Sequence, residues 1–391
     1  MRSVREGSDR RLLLVTSAVH LTNDACFALL YPLFPFIAAE FGLSYAQVGL
    51  IKTVFSGASS SLQIPAGIAG QRFGEYLVLL LGNAWVGVGL VAMALSSGYV
   101  SLLAAALAGG LGGNAQHPLA ASLVSRAFQT GRLATAMGTL NFAGDLGKLV
   151  GPLAAGVVAV QLGWRPALLA VGLFTAAFST VLLLRRQVEP VAALVKNGDV
   201  DTSPGGGDSS WGLWLLLLAG ALDSATRGAA LTFLPFLFEA KGLGSVGVSA
   251  LFGVIFAAGA AGKFVCGWLG DRWGAFAIIA ATELVTALAL VAFLYAPPAT
   301  TALLAVLFGF ALNGTSSALT ASVARVVPAE RRARGYGTYF TAALVSQAVS
   351  PLAYGLIGDL AGLTPTFVIM AIVTAAIVPL AVPIRRALAV G

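Results

Sequence analysis

Apolar residues run along this chain in long blocks, parted by short breaks that are polar or carry Gly and Pro. Twelve blocks can be drawn, near 12–38, 46–70, 77–98, 101–125, 134–160, 166–184, 212–238, 246–269, 275–296, 301–324, 337–360 and 364–384. Each approaches or exceeds the roughly 20 residues that cross a bilayer as a helix. A lipid-exposed backbone must satisfy its own hydrogen bonds, and the alternation of a barrel strand is missing, so each block predicts a transmembrane helix. The polar stretch from Gln187 to Ser210 is the one long interruption. It predicts an N-terminal six-helix bundle over 1–186, a cytoplasmic linker over 187–211 and a C-terminal six-helix bundle over 212–391, an all-α membrane protein.

The two sixes repeat. Gly67-Ile-Ala-Gly70-Gln71-Arg72-Phe73-Gly74 matches Gly267-Trp-Leu-Gly270-Asp271-Arg272-Trp273-Gly274 at an offset of 200, as Pro35, Gly42 and Leu43 match Pro235, Gly242 and Leu243. Asn114, Arg126, Gly138-Thr139, Pro152 and Gly156 match Asn313, Arg325, Gly337-Thr338, Pro351 and Gly355 at an offset of 199. Separate segments agreeing on nearly one offset mark a duplicated, pseudo-symmetric unit in parallel orientation.

Composition agrees with the pattern: 58% of the 391 residues are hydrophobic and 10% charged, with a mean hydropathy of +0.89. Of the 23 Lys and Arg residues, seventeen fall on the side of the N-terminus and two, Arg165 and Lys241, on the other. The positive-inside rule then puts both termini in the cytoplasm. The net charge of +7 is thereby a topology signal, and nucleic acid is not an expected partner. Four arginines precede the first apolar block but no small-residue cleavage site follows it, so it reads as a retained helix. Cys26 and Cys266 fall inside spans, and neither a structural disulfide nor a metal site is expected.

Ten ionisable residues lie within spans: His20, Asp24, Lys52, His117, Asp145, Lys148, Asp223, Arg227, Lys263 and Glu283. Such residues are functional candidates by default, because burying a charge in the membrane is costly. His20 and Asp24 are four apart and share a helix face. A carboxylate beside an imidazole in a low-dielectric site can exchange a proton near neutral pH, which makes Asp24, with His20 and His117, the candidate for proton coupling. The alternative is a pair that ties helix one to helix five. Asp145 with Lys148 and Asp223 with Arg227 are spaced to neutralise each other or to exchange partners with substrate. Glu283, on the ninth span, is expected to be structural. Asn114 and Asn313 hold equivalent places in the repeat and, with Gln347, are candidate substrate contacts; Gln63 and Gln116 are weaker ones.

The Gly-x-x-x-Asp-Arg-x-Gly loop after the second helix of each six resembles the signature loop of the major facilitator superfamily. The resemblance implies the fold of that family and assigns Asp271 and Arg272 to a cytoplasmic latch between access states. The first copy departs from the pattern, with Gln71 in place of the acid and Glu75-Tyr76 where basic residues are usual. On the fifth span, Gly147-x-x-x-Gly151-Pro152-x-x-Ala155-Gly156 is similar to the motif of drug/proton antiporters, which gives Gly151 and Pro152 a part in switching; ordinary helix packing explains the same residues. His20-Leu21-Thr22-Asn23-Asp24, Tyr31-Pro32, Glu40-Phe41-Gly42-Leu43 and His117-Pro118 resemble the fosmidomycin-resistance group of bacterial exporters, although Leu119 stands where that group has an acid.

Family architecture implies that spans two, five, eight and eleven meet along a seam, so Lys52, Lys148 and Lys263 are candidates to line a basic cavity. Neither Lys52 nor Lys263 has an acid three or four positions away, and ammonium groups out of water favour a counter-charge. The reading that follows is a proton-coupled secondary transporter, an antiporter exporting a small organic compound with an anion slightly favoured, acting by alternating access as a monomer in the bacterial inner membrane. An uptake symporter for an organic anion, a multidrug exporter of cationic or neutral compounds and a non-transporting membrane sensor are the alternatives. No nucleotide-binding loop of the Gly-x-x-x-x-Gly-Lys-Ser/Thr type is present, no Ser/His/Asp or metal constellation suggests an enzyme, and no cofactor is expected.

Overall fold

The computed structural model describes residues 2–113, 116–128, 132–185, 210–328 and 331–389. Most of the expected linker, and Asn114 with it, lie outside the described residues. The described residues form sixteen α-helices and no strand. In chain order these are α1 (Arg2–Ala28), α2 (Leu30–Phe41), α3 (Tyr45–Ser61), α4 (Gln63–Phe73), α5 (Glu75–Ala94), α6 (Tyr99–Gly110), α7 (Gln116–Ala127), α8 (Leu133–Leu162) and α9 (Trp164–Arg185). There follow α10 (Ser210–Ala240), α11 (Ser245–Trp273), α12 (Ala275–Tyr295), α13 (Pro298–Val326), α14 (Arg332–Ala361), α15 (Leu363–Ala375) and α16 (Ile377–Ala389).

Sixteen helices reduce to twelve spans because four spans are interrupted: α1/α2, α3/α4, α6/α7 and α15/α16. Proline accounts for three of the interruptions. A proline lacks the N–H that would bond to the carbonyl four residues earlier, and Pro32, Pro65 and Pro379 stand four residues after Ala28, Ser61 and Ala375, the last residues of α1, α3 and α15. The chain runs on with little deviation at two of these breaks, since Leu29 and Ala376 keep right-handed helical backbone angles. Among the described residues, nine helices are long and apolar enough to cross a membrane. The three spans outside that set are the interrupted α3/α4 and α6/α7, and α10, whose apolar run is broken by Asp223 and Arg227.

The chain divides into two compact units. One comprises residues 1–43 and 54–198; the other comprises 44–53 and 199–391, so the opening turns of α3 pack in the second unit. In the first unit α1 lies against α8 and α5 against α9. In the second, α10 lies against α14 and α12 against α15 and α16. These are the same pairings, first span with fifth and third with sixth, so the duplication read from the sequence recurs in the packing.

Glycine makes the α1–α8 contact close. A Cβ at Gly151 would stand 2.6 Å from the Ala25 carbonyl oxygen, and one at Gly147 would overlap that of Leu21. Gly147 and Gly151 of the antiporter-like motif thus serve helix approach inside the first unit. Some of the polar groups buried between helices are paired across them. Asn83 donates to Thr22 and Ser179, at 3.0 and 2.9 Å, and Thr226 bonds Thr374 at 2.9 Å. Cys26 and Cys266 are free and buried, Cys26 with its sulfur 3.3 Å from the Thr175 hydroxyl.

Candidate functional site

Five of the expected site residues meet in the first unit. Helix α1 presents His20 and Asp24 on one face, with His20 Nε2 3.5 Å from Asp24 Oδ2. Lys148 of α8 reaches the same oxygen at 3.1 Å and Asp145 Oδ1 at 3.3 Å, so one ammonium is shared by two carboxylates. The His117 ring of α7 stands edge-on to His20, centroids 5.0 Å apart. His20 and Asp24 are buried, whereas the Lys148 side chain is 35% exposed and His117 lies open. The cluster therefore has a buried end at Asp24 and an accessible end at Lys148.

Gly144 makes room for it. A Cβ there would come within 2.6 Å of His20 Nε2 and 2.8 Å of Asp24 Oδ2. The sequence reading did not single out this glycine; its signal was the spacing of three and four that sets Gly144, Gly147 and Gly151 on one face of α8. His20, Asp24 and His117 each bring a donor atom within 4.8 Å of the others. Because the ammonium holds the Asp24 oxygen nearest His20, the cluster suits a proton better than a metal cation.

A second cluster lies in the second unit. Arg227 of α10 donates to Asn313 Oδ1 at 2.7 Å and to the Leu312 carbonyl, both of α13, and lies 3.2 Å from Asp223 Oδ2. Glu283 of α12 is buried, 1% exposed. The expected Asp223–Arg227 pair is formed, and Asn313 completes it.

The remaining candidates are more dispersed. Lys148 belongs to the first unit and Lys52 and Lys263 to the second. Lys52 is buried and Lys263 half-buried. Gln347 is half-buried, and its backbone carbonyl faces Gly228 of α10. Pro152 lies within α8 beside Gly151. Asp271 and Arg272 are exposed at the end of α11, with the guanidinium 5.8 Å from the Trp268 ring centre. In the first repeat Glu75 accepts Ser122 Oγ at 3.0 Å and pairs with Arg126. At the far end of the first unit, Glu40 takes Arg165 Nη2 at 2.7 Å and Trp164 Nε1 at 2.6 Å, a clamp that sequence reasoning missed.

Membrane-length helices in two units, each enclosing acids and bases, define a multi-pass membrane protein. The sequence model of the Major Facilitator Superfamily matches residues 16–301 and 216–389, and the chain belongs to that family. That family is one of transporters and not of enzymes. The chain is 32% identical over 152 residues to the fosmidomycin resistance protein of Escherichia coli, a match covering 39% of this chain and 37% of that one. It is 31% identical to multidrug resistance protein MdtG of Yersinia enterocolitica, over 46% of this chain and 45% of that one. A hexuronate transporter of Bacillus subtilis is 31% identical over 34% of this chain and 31% of its own. Less than half the length of each of these relatives is matched. The fold is that of the nucleoside transporter NupG, with a TM-score of 0.77 at 13% identity over 97% of this chain and 98% of that one. A bacterial homologue of the human lysosomal transporter Spinster, in an inward-facing and unoccupied conformation, gives 0.75 at 16% identity over 98% and 95%.

Proposed function

We propose that this protein is a proton-coupled secondary transporter of the bacterial inner membrane, both termini cytoplasmic, exporting a small organic compound by alternating access. The observation that carries the reading is the Lys148 ammonium shared between Asp24 and Asp145, with His20 against the buried acid. Two carboxylates and one ammonium leave one negative charge in excess. A proton on Asp24 removes that excess and turns Lys148 toward Asp145; its departure draws the lysine back. His117, open and edge-on to His20, gives that proton a route. A cargo that competes for Lys148 is then linked to the proton without touching Asp24.

An anion is the cargo that competes best for an ammonium, and the hexuronate transporter among the relatives bears the name of one. The multidrug resistance relatives support the second reading, export of cationic or neutral compounds. Asp271, Arg272, Gly151 and Pro152 are assigned to switching between access states. Substrate-dependent proton flux in proteoliposomes, over a panel of organic anions and cationic drugs, tests the proposal. Asp24→Asn is expected to abolish gradient-driven transport while leaving counterflow measurable, since the amide keeps the size but releases no proton. Unchanged pH-driven transport in that variant would remove Asp24 from the coupling role.

A further inference from the structure

Building on the coupling role proposed for Asp24, on which this step rests, we infer that Asn83 positions that acid. A polar fastening on the back of α1 fixes how the helix is turned about its axis, and so keeps Asp24 within reach of Lys148.

Helix α1 carries polar groups on two opposite faces. At 3.6 residues per turn, Thr22 stands about 160° round the helix from both His20 and Asp24, and Cys26 follows Thr22 one turn on. The front face meets α8, where Asp24 Oδ2 lies 3.1 Å from Lys148 Nζ. The back face meets α5 and α9 in two rungs. Asn83 Nδ2 donates to Thr22 Oγ1 at 3.0 Å and to Ser179 Oγ at 2.9 Å, and Cys26 Sγ lies 3.3 Å from Thr175 Oγ1. All of these back-face side chains are buried.

The two faces constrain α1 differently. On α8, Gly144 lies against His20 and Asp24, and Gly147 and Gly151 lie against the Leu21 and Ala25 backbone. Glycine sets how near the helices come and offers no side chain to grip. Hydrogen bonds between short buried side chains are directional and do grip. Turning α1 by about 20° carries a group at a helix radius of about 5–6 Å through roughly 2 Å. That is enough to part a pair that now stands at 3.1 Å.

The repeat separates the two rungs. Thr226 and Thr374 occupy the places of Cys26 and Thr175 in the second unit and bond at 2.9 Å, so that rung is a general tie between first and sixth spans. The Asn83 rung does not recur. At the same offsets of 200 and 199, Leu222, Glu283 and Val378 stand where the first unit has Thr22, Asn83 and Ser179. Asp24 and Lys148 are themselves replaced there by Ser224 and Gln347. The rung therefore accompanies the Asp24–Lys148 pair. Among the described residues, the ionisable groups around Asp24 are His20 of its own helix, His117 of α7, and Lys148 with Asp145 of α8. Helices α5 and α9 bring an amide and hydroxyls, which carry no charge.

A double-mutant cycle on the full chain in detergent, read by chemical denaturation without cargo or gradient, tests this. Lys148→Met is expected to lower the unfolding midpoint by less in a Thr22→Val or Asn83→Leu background than in the native one, because the pair it breaks is already slack. Thr22→Ser, which keeps the hydroxyl, should leave the full loss, as should Thr226→Val, which cuts only the recurring tie. Independent sites add. Where those backgrounds do not fold, Ser179→Ala, which removes one of the two bonds of Asn83, takes their place. Strict additivity, or the same shortfall with Thr226→Val, overturns the assignment. The pH dependence of exchange in proteoliposomes, over the anion and drug panel, gives a second reading. Thr22→Val should displace it and Thr22→Ser should not; an undisplaced profile in Thr22→Val, where Asp24→Asn alters it, also overturns the assignment. If Asp24→Asn left pH-driven transport unchanged, the coupling role would fall, and the denaturation cycle would still decide whether Asn83 holds Asp24 to Lys148.

Discussion

The carboxylate of Asp359 accepts the backbone N–H of Tyr45 at 2.7 Å, across 314 positions of sequence. Its other oxygen takes the Ser44 hydroxyl at 2.7 Å and the Ala46 N–H at 3.1 Å. Helix α14 thereby caps α3 within the second unit, putting an anion where the first turn has orphan donors and the positive end of its dipole. Asp359→Ala is expected to cost about 1–2 kcal/mol. Asp359→Asn, which keeps one acceptor, should cost less. Thermal unfolding in detergent checks both, and melting curves that coincide with the native one would mean that the cap lends no stability.

Lys148 serves two acids, so removing it should be worse than removing it together with one of them. Lys148→Met is expected to destabilise the protein by about 2 kcal/mol, below the range for breaking a fully buried pair because the lysine is partly exposed. Adding Asp145→Asn should restore at least about 0.5 kcal/mol through coupling of neighbours. Chemical denaturation of the native, single and double variants gives the comparison, and strict additivity would count against the shared ammonium.

Two glycines of α8 differ only in what lies opposite them. Gly144 faces His20 and Asp24, whereas a Cβ at Gly138 would meet nothing within 4 Å. Gly138→Ala should stabilise the helix by up to about 1 kcal/mol. Gly144→Ala should cost about 1–3 kcal/mol from overpacking and depress transport as well. Melting temperature and initial transport rate separate the two, and equal behaviour would contradict the described fit.

The two signature loops should respond unequally. Asp271→Asn is expected to slow turnover while leaving cargo affinity within about twofold, that is within about 0.5 kcal/mol. Gln71→Ala should resemble the native protein. Glu75→Gln, which removes the charge opposite Arg126, should matter more than Gln71. Binding and exchange rates measured on the same preparations decide this, and severe losses at Gln71 would give the first copy a contact role of its own.

If the cargo is an anion, Lys52→Met and Lys263→Met should each weaken its binding by more than the ~0.5 kcal/mol of an uninvolved surface site. Equilibrium binding over the anion and cation panel tests this. Normal anion binding in both variants would shift the reading to multidrug export.

The spans were legible because lipid imposes one demand on every residue of a crossing helix, and that demand writes itself as continuous hydrophobicity. The interruptions at Pro32, Pro65 and Pro379 were not foreseen, and proline alone does not announce them, since Pro152, Pro235 and Pro351 sit inside unbroken helices. Charged residues inside spans pointed to both clusters, since few other causes put Asp24 or Asp223 there. What the sequence did not disclose is which helices bring them together. His20 and Asp24 share a helix, and so do Asp145 and Lys148, but the meeting of these two pairs, like that of Arg227 with Asn313, is a product of tertiary packing. Gly144 went unread for a related reason: its spacing from Gly147 and Gly151 marks one helix face, but not what lies opposite it.

Both cysteines of the protein are buried free thiols, Cys26 against Thr175 and Cys266 beside Gly314. For labelling chemistry the native chain is therefore already a quiet background. A maleimide dye applied to the folded protein should find neither thiol, so that one cysteine introduced at an exposed helix end would carry the fluorophore alone, and the molecule's movements can be followed without first replacing residues that pack its interior.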